Sequence, residues 1–267
     1  MRITAFGMTD RGRKRPTNED DLAIVDLTAA REIPEREIHD FAPGAAGALL
    51  AVCDGVGGHR AGEVASALAL SRLAAEMEEL GDRCPRPTLF GAAVERVNRA
   101  VWEKSHEDPR WEGMATTLTA AVLCRSRAVI AHVGDSRAYV LRGGSLRQLT
   151  RDQSFVQTLV AAGTLTLEEA ERSPFRNVIL QAVGRKKTVE VALDALDLEA
   201  RDTIFLCTDG LSGKISPDEI AAALAGPDLA SDLHSLVDLA NARGGEDNIT
   251  ALAARVEATD DSPPTRD

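Results

Sequence analysis

The sequence predicts an α+β fold in which strands and helices occupy separate layers. Predicted strands come first, then a helix pair, then strands, then a second helix pair, without the strand–helix alternation of a parallel α/β fold. The apolar spacing changes with them, helical over the pairs and strand-like between them. Several strands also run into an acid beside a glycine or asparagine.

In chain order, Ile3 to Met8 and Leu22 to Leu27 read as strands, joined by the polar loop from Thr9 to Asp20. Residues 28–48 have no clear period and contain Pro34, Pro43, Gly44 and Gly47, so a loop or a poor hairpin is expected. Leu49 to Cys53 is a continuous apolar run, the mark of a buried strand, and it ends in Asp54-Gly55. After a Gly-rich turn, a helix is expected from about Glu63 to Leu80, with Val64, Leu68, Met77 and Leu80 near one face. A second helix follows with Thr88 as N-cap and Phe90, Val94, Val97 and Val101 as its core stripe.

Strands return over Thr116 to Leu123 and Ala128 to Val133. Ala138 to Leu141 and Ser145 to Leu149 flank Gly143-Gly144, a hairpin turn. Residues 152–185 turn helical and polar. Val189 to Leu196 and Thr203 to Cys207 are strands. Ser216-Pro217-Asp218-Glu219 is a capping box that opens a helix, and another spans about 230–242. Ile249 to Val256 is the last strand. Residues 1–257 are thus expected to form one domain, and 258–267 a polar, disordered tail.

Composition narrows the function. The 267 residues are 44% hydrophobic, ample for a core, and carry a net charge of −11. That charge argues against nucleic-acid partners, which call for a basic face, and against anionic lipid. No stretch is apolar enough to span a bilayer, and the N-terminus lacks a signal-peptide pattern. Cys53, Cys84, Cys124 and Cys207 have no metal-ligand spacing. They read as reduced, mostly buried thiols of a cytoplasmic protein.

Asp54, Asp135, Asp209 and Asp247 stand at predicted strand ends, each beside a Gly or Asn, and Glu19 and Asp20 adjoin Asn18. Each acid alone reads equally as a turn former. Six converging carboxylates would repel one another and stay ionised only around divalent cations. Oxygen ligands select magnesium or manganese. One arginine beside them, Arg15, suits a phosphate, which its planar fork can bind in bidentate fashion. Two ions about 3.5–4 Å apart, with that arginine, suit phosphate ester hydrolysis.

The motifs resemble those of the metal-dependent protein phosphatase family, type 2C, in its bacterial serine/threonine form. The first is Thr9-Asp10-x-Gly12-x-x-Arg15-x-x-Asn18-Glu19-Asp20, and the second is Asp54-Gly55-Val56-Gly57-Gly58-His59. The later ones are Gly134-Asp135-Ser136-Arg137, Thr208-Asp209-Gly210-Leu211 and Gly245-Glu246-Asp247-Asn248-Ile249-Thr250. Leu149 to Ser154 and Arg176 to Ile179 are similar to the family's flap, placed here at about 152–185. The likeness runs from about residue 4 to residue 256, in the family's order.

The resemblance implies a sandwich of two antiparallel sheets with a helix pair on each outer face. It implies that Asp54, the Gly55 carbonyl, Asp209 and Asp247 hold two manganese or magnesium ions. Glu19 would reach one ion through water, Asp20 would orient water, and Arg15 would bind the substrate phosphate. Asp135 with Asp209 would form a third, weaker site. Substrates would be phosphoserine and phosphothreonine in proteins, a cognate kinase among them, cleaved by attack of a hydroxide bridging the ions. A cytoplasmic monomer is expected. Three positions depart from the family. Val56 stands where animal members carry a histidine, leaving His59 or water as proton source. Gly213 stands where some members add an acid, and Gln153 where many bacterial members have histidine. The competing reading is a phosphatase-like regulator that binds phosphoproteins without turnover. It is disfavoured because no metal-ligand acid is missing.

Overall fold

The structure, a computed structural model, describes residues 1–56, 61–81 and 83–257, the side chain of Glu171 excepted. Two antiparallel sheets stack face to face. The first takes the order β10 (Ser145–Gln148), β9 (Arg137–Arg142), β12 (Thr203–Cys207), β13 (Ile249–Val256), β1 (Ile3–Asp10), β4 (His39–Phe41). The second runs β11 (Ala192–Asp197), β8 (Arg127–Val133), β7 (Leu118–Cys124), β5 (Ala48–Val56), β2 (Asp20–Asp26), β3 (Arg31–Ile33), with β6 (Ala115–Thr116) on β5. Helices α1 (Ala61–Glu79) and α2 (Pro87–Lys104) cover the second sheet. Further along come α3 (Phe155–Ala161), α4 (Leu167–Arg172) and α5 (Asp209–Ser212). Helices α6 (Pro217–Leu224) and α7 (Leu229–Ala242) cover the first sheet. This is the expected four-layer αββα arrangement. Among the described residues, no helix is long and apolar enough to cross a membrane.

Strand alternation explains the continuous apolar runs. Along β5, Leu49, Ala51 and Cys53 face the helices, while Ala48, Leu50 and Val52 face the other sheet. Along β13, Ala251 and Ala253 pack under α6 and α7, while Leu252, Ala254 and Val256 join the inter-sheet core. Both faces of the central strands are buried, so no polar alternation survives in them.

Several expectations need correction. Helix α1 buries Ala61, Ala65, Ala69, Leu73 and Met77, whereas Val64, Leu68 and Leu80 sit partly exposed at its flank. Small side chains let the helix backbone approach the sheet, so the alanine face wins over the bulkier one. Helix α2 is capped at Arg86 rather than Thr88, with Pro87 as its first residue; its predicted core stripe is buried. Residues 28–48 form no hairpin. Strand β3 pairs with β2 and β4 pairs with β1, so the two belong to different sheets. Of residues 152–185, only α3 and α4 are helical. The capping box at Ser216, with Glu219 reaching back, is present as expected. The expectation of four reduced thiols fails: Cys84 and Cys124 form a disulfide that ties the α1–α2 connection to the end of β7. Cys53 and Cys207 are free and buried. The expected tail at 258–267, and the turn containing Gly57, Gly58 and His59, lie outside the described residues.

Candidate active site

The inter-sheet core does not simply stop; its residue positions continue as polar groups. On β5, Ala48, Leu50 and Val52 are followed at the same parity by Asp54. On β2, Ile24 and Leu22 lead to Asp20, which lies directly opposite Asp54. In the other sheet, Ile204 and Leu206 lead to Thr208, and Leu252 leads to Thr250. The two threonines donate to Asp20 Oδ2 across the sandwich, each at 2.7 Å. The site is therefore the polar end of the interface between the sheets.

Strand β5 runs through Asp54 to Val56, further than its apolar run reaches. The Asp54 N–H donates to Thr117 Oγ1 at 2.9 Å, and its carbonyl accepts from Thr116 Oγ1 and the Thr117 N–H, both at 2.9 Å. Gly55 N–H donates to the Glu19 carbonyl at 3.1 Å. Gly55 lacks a side chain for a structural reason. A Cβ there would strike the Gly62 carbonyl and lie 2.6 Å from the Glu19 carbonyl. A Cβ at Gly62 would in turn sit 2.5 Å from Glu19 Oε2. These two glycines make room for the Glu19 carboxylate beside the strand.

Asp209 opens α5 rather than ending a strand, and Asp247 lies in the loop before β13. A Cβ on Gly210 would hit the Asn248 carbonyl, so glycine allows these two segments to touch. Gly12, at φ +77°, lets the first loop tuck under the Asp247 carbonyl in the same way. That loop is pinned by Asn248, whose Nδ2 donates to the Arg11 and Thr17 carbonyls and whose Oδ1 accepts from the Glu19 N–H, all at 2.9 Å. Arg15 thereby reaches Asp247, donating to Oδ2 at 2.8 Å.

The electrostatics are those of like charges gathered out of water. Burial, then Asp20, Asp209, Asp135 and Asp247 in order, pushes the Asp54 carboxyl well above the usual range. Burial and Asp209 push Asp135 up to about 8. Burial pushes Asp20 up to about 7 against its two threonine hydrogen bonds. Asp209 is raised by burial and Asp247. Two oxygens, Asp20 Oδ1 and Asp209 Oδ1, are buried with no partner among the described residues. Such groups cost several kcal/mol each if left ionised and unmatched. An all-oxygen set with orphaned, mutually repelling acids fits hard divalent cations.

The structure brings Arg15, Glu19, Asp54, Gly55, Asp135, Asp209 and Asp247 around one cavity of about 330 Å³. Asp20 lies behind it, beside Asp54. Arg137, two residues on, does not pair with Asp135. Its guanidinium holds Asp152 in a bidentate pair, at 3.0 and 2.7 Å. That leaves Asp135 without a cationic partner among the described residues.

Gln153, which departs from the family's histidine, joins two segments. Its Oε1 accepts from the Gly134 N–H at 2.8 Å, its own N–H donates to the Gly134 carbonyl at 2.7 Å, and its carbonyl accepts from Leu180 N–H at 2.8 Å. Gln153 thus clamps the Asp135 turn to the flap. No sequence expectation assigns a role to Thr208, Thr250 or Asn248. Strand parity from the core positions would have pointed to both threonines; nothing local marks Asn248.

The family model for Protein phosphatase 2C matches residues 30–253. The serine/threonine protein phosphatase PstP of Mycobacterium tuberculosis is 40% identical over 251 residues, covering 93% of this chain and 44% of PstP. The chain thus spans under half the length of that relative. The serine/threonine phosphatase stp of Listeria welshimeri is 36% identical over 248 residues, covering 91% of this chain and 92% of its own. The crystal structure of Mycobacterium tuberculosis PstP matches with a TM-score of 0.82 at 38% identity, covering 97% of this chain and all of that one. A structure of the PstP catalytic domain in complex with two manganese ions matches with a TM-score of 0.78 at 38% identity, again over 97% of this chain and all of that one.

Proposed function

This chain belongs to the protein phosphatase 2C family, and from that premise we propose that it is a metal-dependent protein serine/threonine phosphatase. The observation that carries the reading is the set of buried acids at the end of the inter-sheet core, two of them with an orphaned oxygen. Asp54, the Gly55 carbonyl, Asp209 and Asp247 would hold two manganese or magnesium ions, and Glu19 would reach one through water. Asp135 with Asp209 would hold a third and weaker one, weaker because Gly213 adds no acid. When bound, such ions supply Lewis-acid chemistry and lower the pKa of water.

The remaining roles belong to the chain. Asp20, fixed by Thr208 and Thr250, keeps one acceptor oxygen aimed past its threonine partners, positioned to orient water. Arg15 is exposed, and its only carboxylate partner among the described residues is Asp247. Once that acid is committed to a cation, the Arg15 fork is available to phosphate oxygens. Val56 is exposed at the cavity and has no ionisable group, so the leaving alkoxide would take its proton from His59 or from water.

The substrates would be phosphoserine and phosphothreonine proteins, including a cognate kinase, hydrolysed by a monomer in the cytoplasm. The cytoplasmic placement rests on the substrate class, since the argument from four reduced thiols no longer holds. The test is phosphate release from a phosphothreonine peptide with and without manganese. Exhaustively chelated protein is expected to be inactive and manganese to restore turnover. Activity that survives chelation would overturn the reading.

A further inference from the structure

A second and larger cavity, about 870 Å³, lies beside the acidic one and shares Asp135, Asn177, Asp209 and Asp247 with it. A peptide with its phosphate at the acids can therefore extend into this groove. The groove runs between the flap, with Val156, Leu167 and Ala170, and the segment from Ser212 to Pro217. Its charges do not balance. Away from the shared acids, its carboxylates are Asp152 and Glu246. Asp152 is held by Arg137 at 2.7 Å. Glu246 is held by Lys214 at 2.5 Å and approached by Lys14 at 3.7 Å. Two more cations line the groove, Arg151 and Arg176, both exposed. Neither has a carboxylate partner, or any side-chain hydrogen bond, among the described residues. In a chain of net charge −11, two uncompensated arginines facing one groove next to the acids are an uneven distribution.

Resting on the phosphatase reading, we propose that Arg151 and Arg176 bind a second phosphoryl group, carried by a residue flanking the phosphoresidue that is hydrolysed. The chemistry favours phosphate over a carboxylate. A phosphate monoester carries close to two negative charges and presents three acceptor oxygens, enough for two guanidinium forks. A carboxylate brings one charge and two oxygens, so it gains less from a second guanidinium than a phosphate does. The preferred substrate would then be a multiply phosphorylated segment, with the groove holding one phosphate while the acids process its neighbour. The two arginines are specificity residues in this account and touch no reacting atom.

The experiment uses the whole chain with manganese and a matched set of peptides. Each carries one phosphothreonine, with alanine, glutamate or a non-hydrolysable phosphonate analogue of phosphoserine placed one to four residues to either side. The readout is the ratio of kcat/KM for flanked over alanine peptides, in which differences in metal loading cancel. At the best spacing the phosphonate is expected to raise the ratio about tenfold or more, through KM. Arg151→Ala with Arg176→Ala should return it to about one. Equal ratios at every spacing, an equal gain from glutamate, or a gain that survives the double substitution would each overturn the proposal. Anisotropy on peptides with phosphonates at both positions gives the same ratio as dissociation constants. A chain that binds them selectively without hydrolysing phosphothreonine would defeat the phosphatase reading and uphold the groove.

Discussion

Two of the places where this molecule buries acidic side chains treat them in opposite ways. Between α1 and α2, Glu76 is fully buried, and both its oxygens are matched. Arg72 reaches Oε1 at 2.7 Å and Arg96 binds Oε2. At the end of the sheet interface, Asp20, Asp54, Asp135 and Asp209 face one another instead, and Arg15 is bound to Asp247 alone among the described residues. The fold can therefore supply arginines to a buried acid where the acid is structural. Among the described residues none is paired with Asp20, Asp54, Asp135 or Asp209, which leaves charge for something else to neutralise. A buried ion pair is self-sufficient, whereas a cluster of like charges is incomplete without a cation.

The largest expected effect breaks the site side of that comparison. Asp209→Asn, or Asp54→Asn, should lower manganese-dependent turnover about 10³-fold, since a lost ion removes several kcal/mol of transition-state stabilisation. Calorimetry should show weakened manganese binding. In chelated protein the same change should raise Tm by a few degrees, because one repelling charge is gone. A lower Tm there would show that the acids are not in conflict.

Arg15→Ala tests the one cation among the described residues that line the cavity. It should cut kcat/KM for a phosphothreonine peptide about 10- to 100-fold, the worth of charge-assisted hydrogen bonds, chiefly through KM. Arg13→Ala, in the same basic loop, should change it less than about twofold. Equal losses at the two positions would mean diffuse attraction rather than a fork on phosphate.

The paired acid should respond with the opposite sign. Glu76→Gln should lower Tm in chelated and metal-loaded protein alike, at a cost of about 1–3 kcal/mol, and leave turnover intact. Thermal denaturation of the two variants side by side decides whether the contrast is real. The smallest expected effect on catalysis comes from the disulfide. Cys84 and Cys124 are joined at the end of β7 remote from Asp54, across a separation of 40 residues. Reduction should cost roughly 3–4 kcal/mol of stability without changing turnover. Thiol titration of unfolded, unreduced protein should count two free cysteines, Cys53 and Cys207; four would remove the bond from the account.

Much of this was legible in the chain. The run Leu49 to Cys53 signals a strand buried on both faces, and Ser216 to Glu219 signals a helix start, because both depend on local pattern alone. The acids Asp54, Asp135, Asp209 and Asp247 stand out because each interrupts an apolar pattern beside a glycine or asparagine. What the sequence could not determine depends on contacts between residues distant along the chain. The alanine face of α1 is chosen by how closely a helix can approach a sheet. Arg137 is taken by Asp152 rather than Asp135, through geometry set by the turn after β8 and the flap. Thr208 and Thr250 become partners of Asp20 only because two sheets stack with those positions in register, residues 188 and 230 apart in sequence. The disulfide follows from the same cause, since cysteine spacing carries no record of which strand ends lie near which helix connection. Residue type and local periodicity set the elements and the chemistry available to them; only packing decides which side chains share a site and which charges go unmatched.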